Sequence, residues 1–197
     1  KDVCTRNANK VFFVRENKTY AEFLDTVQRR AVLLTKKFDI KKGDVVALLC
    51  SNIPAFIESY YAILSIGARA LLLDTGLAHQ EHINMMTRTH AKLALADKTH
   101  TFDCDFPMFD IENDDDTDAA DFVAADVVRS DIAQMSFTSG STGNPKVVGI
   151  THGNLLALCE GAEYYKHVAK PEFIFYGFLP LYHIYGIVIN VICPVTL

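Results

Sequence analysis

Apolar residues recur at helical spacing from Phe23 through Val27, Ala31 and Leu34 to Phe38, and Thr19-Tyr20-Ala21-Glu22 ahead of them is a capping-box sequence. The pattern predicts an amphipathic helix over residues 19–38. A Lys42-Gly43-Asp44 turn leads into Val45-Val46-Ala47-Leu48-Leu49-Cys50, a wholly apolar run of strand length, as in a strand buried on both faces. Ser51-Asn52 offers the next N-cap, Pro54 suits a first helical turn, and the apolar pattern continues to Ile66 before Gly67 ends it. Residues 70–73 read as a second buried strand, 81–88 as a third helix and 93–96 as a third strand. This alternation predicts an α/β fold with a mainly parallel sheet flanked by helices.

Two stretches depart from the rhythm. Between Asp110 and Asp126 stand eight acids and no Lys or Arg. They lack the central Gly and terminal Glu of an EF-hand, so about 110–126 reads as a solvated linker rather than a cation loop. The 25 residues from 173 to 197 carry no charge, long enough to cross a bilayer. Pro180, His183, Gly186 and Asn190 interrupt them, however, and no basic cluster flanks them. A buried strand over 173–179, a loop, and a helix from about Tyr185 is the preferred reading, with membrane association the weaker alternative.

Half of the 197 residues are hydrophobic, enough for a sizeable core. Nineteen Lys and Arg stand against 24 Asp and Glu, for a net charge of -5, so no basic excess favours a nucleic-acid partner. Cys4, Cys50, Cys104, Cys159 and Cys193 form no CxxC pair and fit reduced thiols in a cytoplasmic compartment. The chain opens on Lys1 and closes within an apolar stretch, the expectation being a piece of a larger protein. Peroxisomal or other organellar targeting therefore stays open.

The candidate chemistry lies in Thr138-Ser139-Gly140-Ser141-Thr142-Gly143-Asn144-Pro145-Lys146, read as a loop between two strands. Hydroxyls of Thr138, Ser139, Ser141 and Thr142 surround Gly140 and Gly143, which let backbone N–H groups converge with no Cβ in the way. Such a concavity suits phosphate oxygens, and Lys146 adds a mobile positive charge for the β- and γ-phosphates of a nucleotide. A Walker loop needs GxxxxGK and then Ser or Thr; here the two glycines are closer and Val147 follows Lys146, so a P-loop NTPase is not expected. Composition alone is also that of any polar turn. His152, with Thr151 or Asn154 as the cap of the next helix, reads as structural. The other histidines form no HxxxH pair with a carboxylate between, and no metal site of protein ligands is predicted.

The complete string TSGSTGNPK, with the following Thr151-His152 pair, resembles the phosphate-binding signature of the adenylate-forming, or AMP-binding, enzymes: acyl-CoA synthetases, coumarate-CoA ligases, luciferases and peptide-synthetase adenylation domains. A second segment, Leu179-Pro180-Leu181-Tyr182-His183-Ile184-Tyr185-Gly186, resembles the LPxFHIYG segment of the acyl-CoA synthetase and 4-coumarate-CoA ligase branch; peptide-synthetase domains carry a different one. Thr19 to Leu24, Lys42 to Val46, Asn52-Ile53-Pro54 and Ile66-Gly67-Ala68 resemble the family's N-terminal region, so the resemblance covers essentially the whole chain.

The resemblance implies that residues 1–197 are the front part of one large N-terminal AMP-binding domain, with the phosphate-loop segment over about 132–197 and the C-terminal domain absent. It implies an acid-thiol ligase. A small carboxylic acid attacks the α-phosphate of ATP, with Mg2+, giving an acyl-adenylate and pyrophosphate; a thiol, usually coenzyme A, then takes the acyl group. The implied roles are Thr138, Ser139, Gly140, Ser141, Thr142, Gly143 and Lys146 on the phosphates, with Lys146 and His183 catalytic. His183 would lie beside the carboxylate, and Tyr182 and Tyr185 would line the acyl pocket. Outside that context all three also read as core or loop residues. Mg2+ would be held by the phosphates and by residues beyond Leu197.

Val147 stands where the family usually has Gly, and the chain ends before the family's adenine-binding, magnesium-binding, ribose-binding and C-terminal lysine segments. The expectation is a ligase fragment that does not complete adenylation alone. The alternative is a short nucleotide- or phosphate-binding module without catalysis. Nothing in the residues chooses between a fatty and an aromatic acid.

Overall fold

The computed structural model describes residues 2–113, 117–138, 145–163 and 174–196. A short helix α1 (Asp2–Arg6) and a two-stranded ribbon, β1 (Val11–Phe13) with β2 (Lys18–Thr19), precede helix α2 (Tyr20–Lys36). The capping box opens α2 as its sequence predicts: Glu22 N–H donates to Thr19 Oγ1 at 3.3 Å, and Thr19 N–H donates to Glu22 Oε2 at 2.7 Å. Phe23, Val27, Ala31 and Leu34 are all buried, so the expected stripe is the face that packs.

Six strands form the main sheet. They are β3 (Val45–Leu49), β4 (Arg69–Leu72), β5 (Ala91–Ala96), β6 (Met108–Asp110), β7 (Ile132–Thr138) and β8 (Lys146–Thr151), in spatial order β6-β5-β3-β4-β7-β8. All neighbours pair parallel except β7 and β8, which form an antiparallel hairpin. Every residue of central β3 is buried, as an uninterrupted apolar run requires. Val46 and Leu48 face the core shared with α2 and with α3 (Pro54–Ser65). Val45, Ala47 and Leu49 face the opposite core, with Met85 and Met86 of α4 (His79–Arg88). The result is helix, sheet, helix in three layers. Gly67 has φ +70° after α3, and a Cβ there would sit 2.9 Å from Lys42 Cγ, so the turn into β4 needs glycine on both counts.

Three expectations change. First, Ser51-Asn52 does not cap α3. The N-cap is Ile53, with no side-chain hydrogen bond, because Pro54 at the first helical turn has no N–H to satisfy and Asn52 is engaged elsewhere. Second, the acidic stretch keeps Glu112, Asp118, Asp121 and Asp126 exposed to solvent but is pinned to the rest of the fold at several points. Asp110 ends β6, Ile111 is buried, Phe122 packs on the core, Asp121 lies 3.5 Å from Lys36, and Ala125 N–H donates to Ser65 O at 2.9 Å. Residues 114–116 lie outside the described residues. Third, residues 174–178 form no strand: Ile174, Tyr176 and Phe178 are 70–83% exposed, and no sheet edge pairs with them. Phe173 lies outside the described residues. An apolar run without alternation did not specify a strand here.

The remaining elements are α5 (His152–Glu163), α6 (Ile184–Ile187), a π-helical stretch (Val188–Ile192) and α7 (Cys193–Thr196). Among the described residues no helix is long and apolar enough to cross a membrane. The five cysteines are free, and Cys4 and Cys50 are buried.

Candidate functional site

Parallel strands all end on one edge of the sheet, and in open α/β sheets that edge is where ligands bind. Here it carries Ser51 and Asn52 after β3, Asp74 after β4, Asp97 after β5 and Thr138 at the end of β7.

Thr138 and Lys146 are register partners that close the β7–β8 hairpin. Directly opposed residues in an antiparallel pair project from the same face about 4.5–5.5 Å apart. Both residues are exposed, so Thr138 and the base of the Lys146 side chain share one face at the mouth of the loop. Ser139, Gly140, Ser141, Thr142 and Gly143 lie outside the described residues. Val147 pairs with Phe137, so it is an ordinary strand position, half buried. Arg88, at the end of α4, donates from Nη2 to Pro145 O at 3.0 Å, and its guanidinium lies 5.3 Å from the Phe137 ring centroid. It ties α4 to the residue before Lys146, and it falls in no motif that would have flagged it.

The second group sits on one turn. His183 N–H donates to Pro180 O at 3.2 Å, and His183 Nδ1 accepts from Tyr185 N–H at 3.3 Å, which makes His183 the N-cap of α6. With Nδ1 accepting, a neutral imidazole carries its proton on Nε2, leaving Nε2–H as the donor of an exposed ring. Tyr182 is half buried beside Asp74. Burial, then the nearby Asp74 charge, push its phenol up, so the hydroxyl stays protonated. Tyr185 is 62% exposed. Asn52, just after β3, is hydrogen-bonded to the segment that leads into this turn, which sets His183 on the same sheet edge as Thr138 and Lys146.

What holds that turn was not legible from local sequence. Asn52 Nδ2 donates to Gly177 O at 3.0 Å and Leu179 O at 2.7 Å, and its Oδ1 accepts from Leu181 N–H at 3.0 Å. Asn190 Nδ2 also donates to Leu179 O, at 3.1 Å, and Tyr61 Oη donates to Val191 O at 3.1 Å. Gly186 packs directly on the Leu179–Pro180 backbone.

His152 is placed elsewhere. Thr151 and Asn154 exchange Asn154 N–H to Thr151 Oγ1 (3.1 Å) and Thr151 N–H to Asn154 Oδ1 (3.0 Å), the reciprocal cap of α5. His152 stands at the far end of β8 from Lys146, about 20 Å away at about 3.3 Å per residue. Burial pushes its imidazole pKa down, against the nearby Asp131 carboxylate. Among the described residues no three His, Cys, Asp or Glu side chains form a group able to hold a metal ion.

The family model "AMP-binding enzyme" matches residues 1–197. Over 184 residues the chain is 30% identical to a 2-succinylbenzoate–CoA ligase of Bacillus velezensis, covering 90% of this chain and 38% of that protein. Over 198 residues it is 23% identical to 4-coumarate:CoA ligase 1 of Petunia hybrida, covering 89% of this chain and 36% of that one. The chain thus spans little more than a third of the length of these relatives. In fold it matches the O-succinylbenzoate coenzyme A synthetase of Bacillus subtilis in complex with AMP, with a TM-score of 0.73 and 24% identity over 90% of this chain and 47% of that one.

Proposed function

The chain belongs to the AMP-binding enzyme family, and on that premise we propose that it is the front part of the N-terminal domain of a carboxylate–CoA ligase. The observation that carries the reading is one sheet edge with two groups on it, the Thr138–Lys146 hairpin mouth and the His183 turn hydrogen-bonded to Asn52. Relatives bearing 2-succinylbenzoate–CoA ligase and 4-coumarate:CoA ligase names support the acid–CoA branch.

In the first step a carboxylate oxygen forms a bond to the α-phosphorus of ATP, and the bond to the bridging oxygen breaks, giving acyl-adenylate and pyrophosphate. Charge builds on the transferring and leaving phosphates. The Thr138 hydroxyl and the mobile Lys146 ammonium, carried on opposed positions of the hairpin, stabilise it, and Ser139, Gly140, Ser141, Thr142 and Gly143 are the further N–H and hydroxyl donors that the sequence offers. His183 Nε2–H donates to the carboxylate and fixes which oxygen faces phosphorus. Tyr182, near the Asp74 carboxylate, and Tyr185 border the acid. In the second step the thiol of coenzyme A forms the thioester and AMP leaves with the thiol proton released. The five free cysteines support a reducing, cytoplasmic-type setting.

The test is carboxylate-dependent ATP–pyrophosphate exchange by the full-length ligase. Lys146→Ala should slow exchange by about tenfold or more, a loss of about 1.4 kcal/mol or more of phosphate stabilisation. His183→Ala should raise the KM for the acid rather than for ATP. Unchanged exchange in both variants overturns the assignment, and ATP binding without exchange on any acid moves the chain to a non-catalytic phosphate-binding module.

A further inference from the structure

Asn52 lies just before α3 in sequence, yet its side chain reaches across to residues more than 120 positions away. All three of its polar contacts fall within five residues of one turn: Gly177 O, Leu179 O and Leu181 N–H. Both halves of the amide are used, the NH2 group on two carbonyls and the oxygen on one N–H, so the orientation is specified from both sides. Leu181 is 3% exposed and anchors the turn in the core. One residue separates it from His183, whose own N–H returns to Pro180 O at 3.2 Å. Asn190 shares the Leu179 carbonyl from the far side, and Gly186 closes the turn from beneath.

We infer that Asn52 is a positioning residue for His183, fixing the turn that aims Nε2–H at the carboxylate. The inference rests on the reading of His183 given above. Asn52 touches no reacting atom. It links the C-terminal end of β3, the most buried strand of the sheet, to a turn whose preceding residues 174–178 have no strand to hold them. A small misplacement of a positioned group is enough to cost about a hundredfold in rate, so three hydrogen bonds at the base of the turn are sufficient to matter.

The experiment is ATP–pyrophosphate exchange by the full-length ligase carrying Asn52→Ala, His183→Ala, both, or Asn52→Asp. Asn52→Ala should raise the KM for the acid about tenfold and leave the KM for ATP within about twofold. In the His183→Ala background the same change should alter the acid KM less than about twofold, since the group it positions is gone. Asn52→Asp should be worse than Asn52→Ala, because a carboxylate oxygen would face two carbonyl oxygens; a residue serving only the start of α3 would tolerate Asp as well as Asn. Should Asn52→Ala not fold, Asn52→Ser, too short to reach Leu179 O, carries the same comparison. Additive effects of Asn52 and His183, or a wild-type Asn52→Asp enzyme, overturn the role of Asn52 alone. A His183→Ala enzyme with unchanged acid KM instead overturns the reading of His183 and with it this one.

Discussion

Replacing Gly186 by alanine sets helix propensity against packing. Gly186 lies in α6, and by propensity alone alanine in a helix gains up to about 1 kcal/mol, less in a helix of one turn. In place, however, the added Cβ would overlap Pro180 O, and it would come within 2.7 Å of Pro180 C and 3.2 Å of Leu179 O. The neighbour is backbone, held at Leu179 O by both Asn52 and Asn190, so it has no rotamer to change. Forcing the turn away costs about 1–3 kcal/mol of overpacking. Stretching those two hydrogen bonds adds about 1 kcal/mol each where they are lost. Against the propensity gain, a net loss of about 3 kcal/mol follows, a fall in Tm of a few degrees in the full-length protein. The same displacement moves His183, so the acid KM in ATP–pyrophosphate exchange should rise by about tenfold or more while the ATP KM holds. Thermal unfolding and exchange kinetics of full-length Gly186→Ala measure both. A Tm equal to or above wild type with an unchanged acid KM would refute the close approach.

Three further outcomes follow from single contacts. Asp97 is buried, which opposes its charge, but Ser51 N–H, Thr99 and His100 bond to it and hold its carboxyl well below the usual carboxylate range. Its folded pKa lies below its unfolded value, so its stabilisation is present above about pH 4 and is lost as pH falls below that. Asp97→Asn should cost about 2 kcal/mol at pH 7 in urea unfolding, with the gap to wild type narrowing below about pH 4; a constant gap contradicts this. Arg88→Met should raise the ATP KM several-fold and leave the acid KM alone, because the Pro145 carbonyl loses its tether; equal ATP KM values would remove Arg88 from the loop. Thr19→Ala should cost about 1 kcal/mol of stability while Thr19→Ser is neutral, and equal stability of all three would rule out the capping box as a contributor.

Legibility from sequence followed the range of the interactions. Helix α2 announced itself because its cap and its buried stripe lie within one continuous stretch, and β3 because burial on both faces leaves no polar position. The hairpin was readable because a Gly-rich string lies between two apolar runs, and its closure by Thr138 and Lys146 follows from register. Residues 174–178 were misread because an apolar run carries no period, and nothing local says whether a sheet edge exists for it. Asn52 was misread for the opposite reason. Its position before Pro54 matches a cap, while its partners, on a turn more than 120 residues later, leave no local trace. The short strands β1, β2 and β6, of two or three residues each, are below the length at which alternation can be seen. Gly186 offered one signal that was available, a glycine in an apolar tract, which marks a close backbone approach.

Acyl-adenylate formation at this sheet edge requires that the protein reverse pyrophosphate release when an acid is present. The most direct measurement is ATP–pyrophosphate exchange by the full-length protein, without and then with each of a set of fatty and aromatic carboxylic acids. Exchange should require an acid, slow by about tenfold or more in Lys146→Ala, and give way to thioester formation when coenzyme A is added. Exchange independent of acid, or none with any acid while ATP still binds, would contradict it.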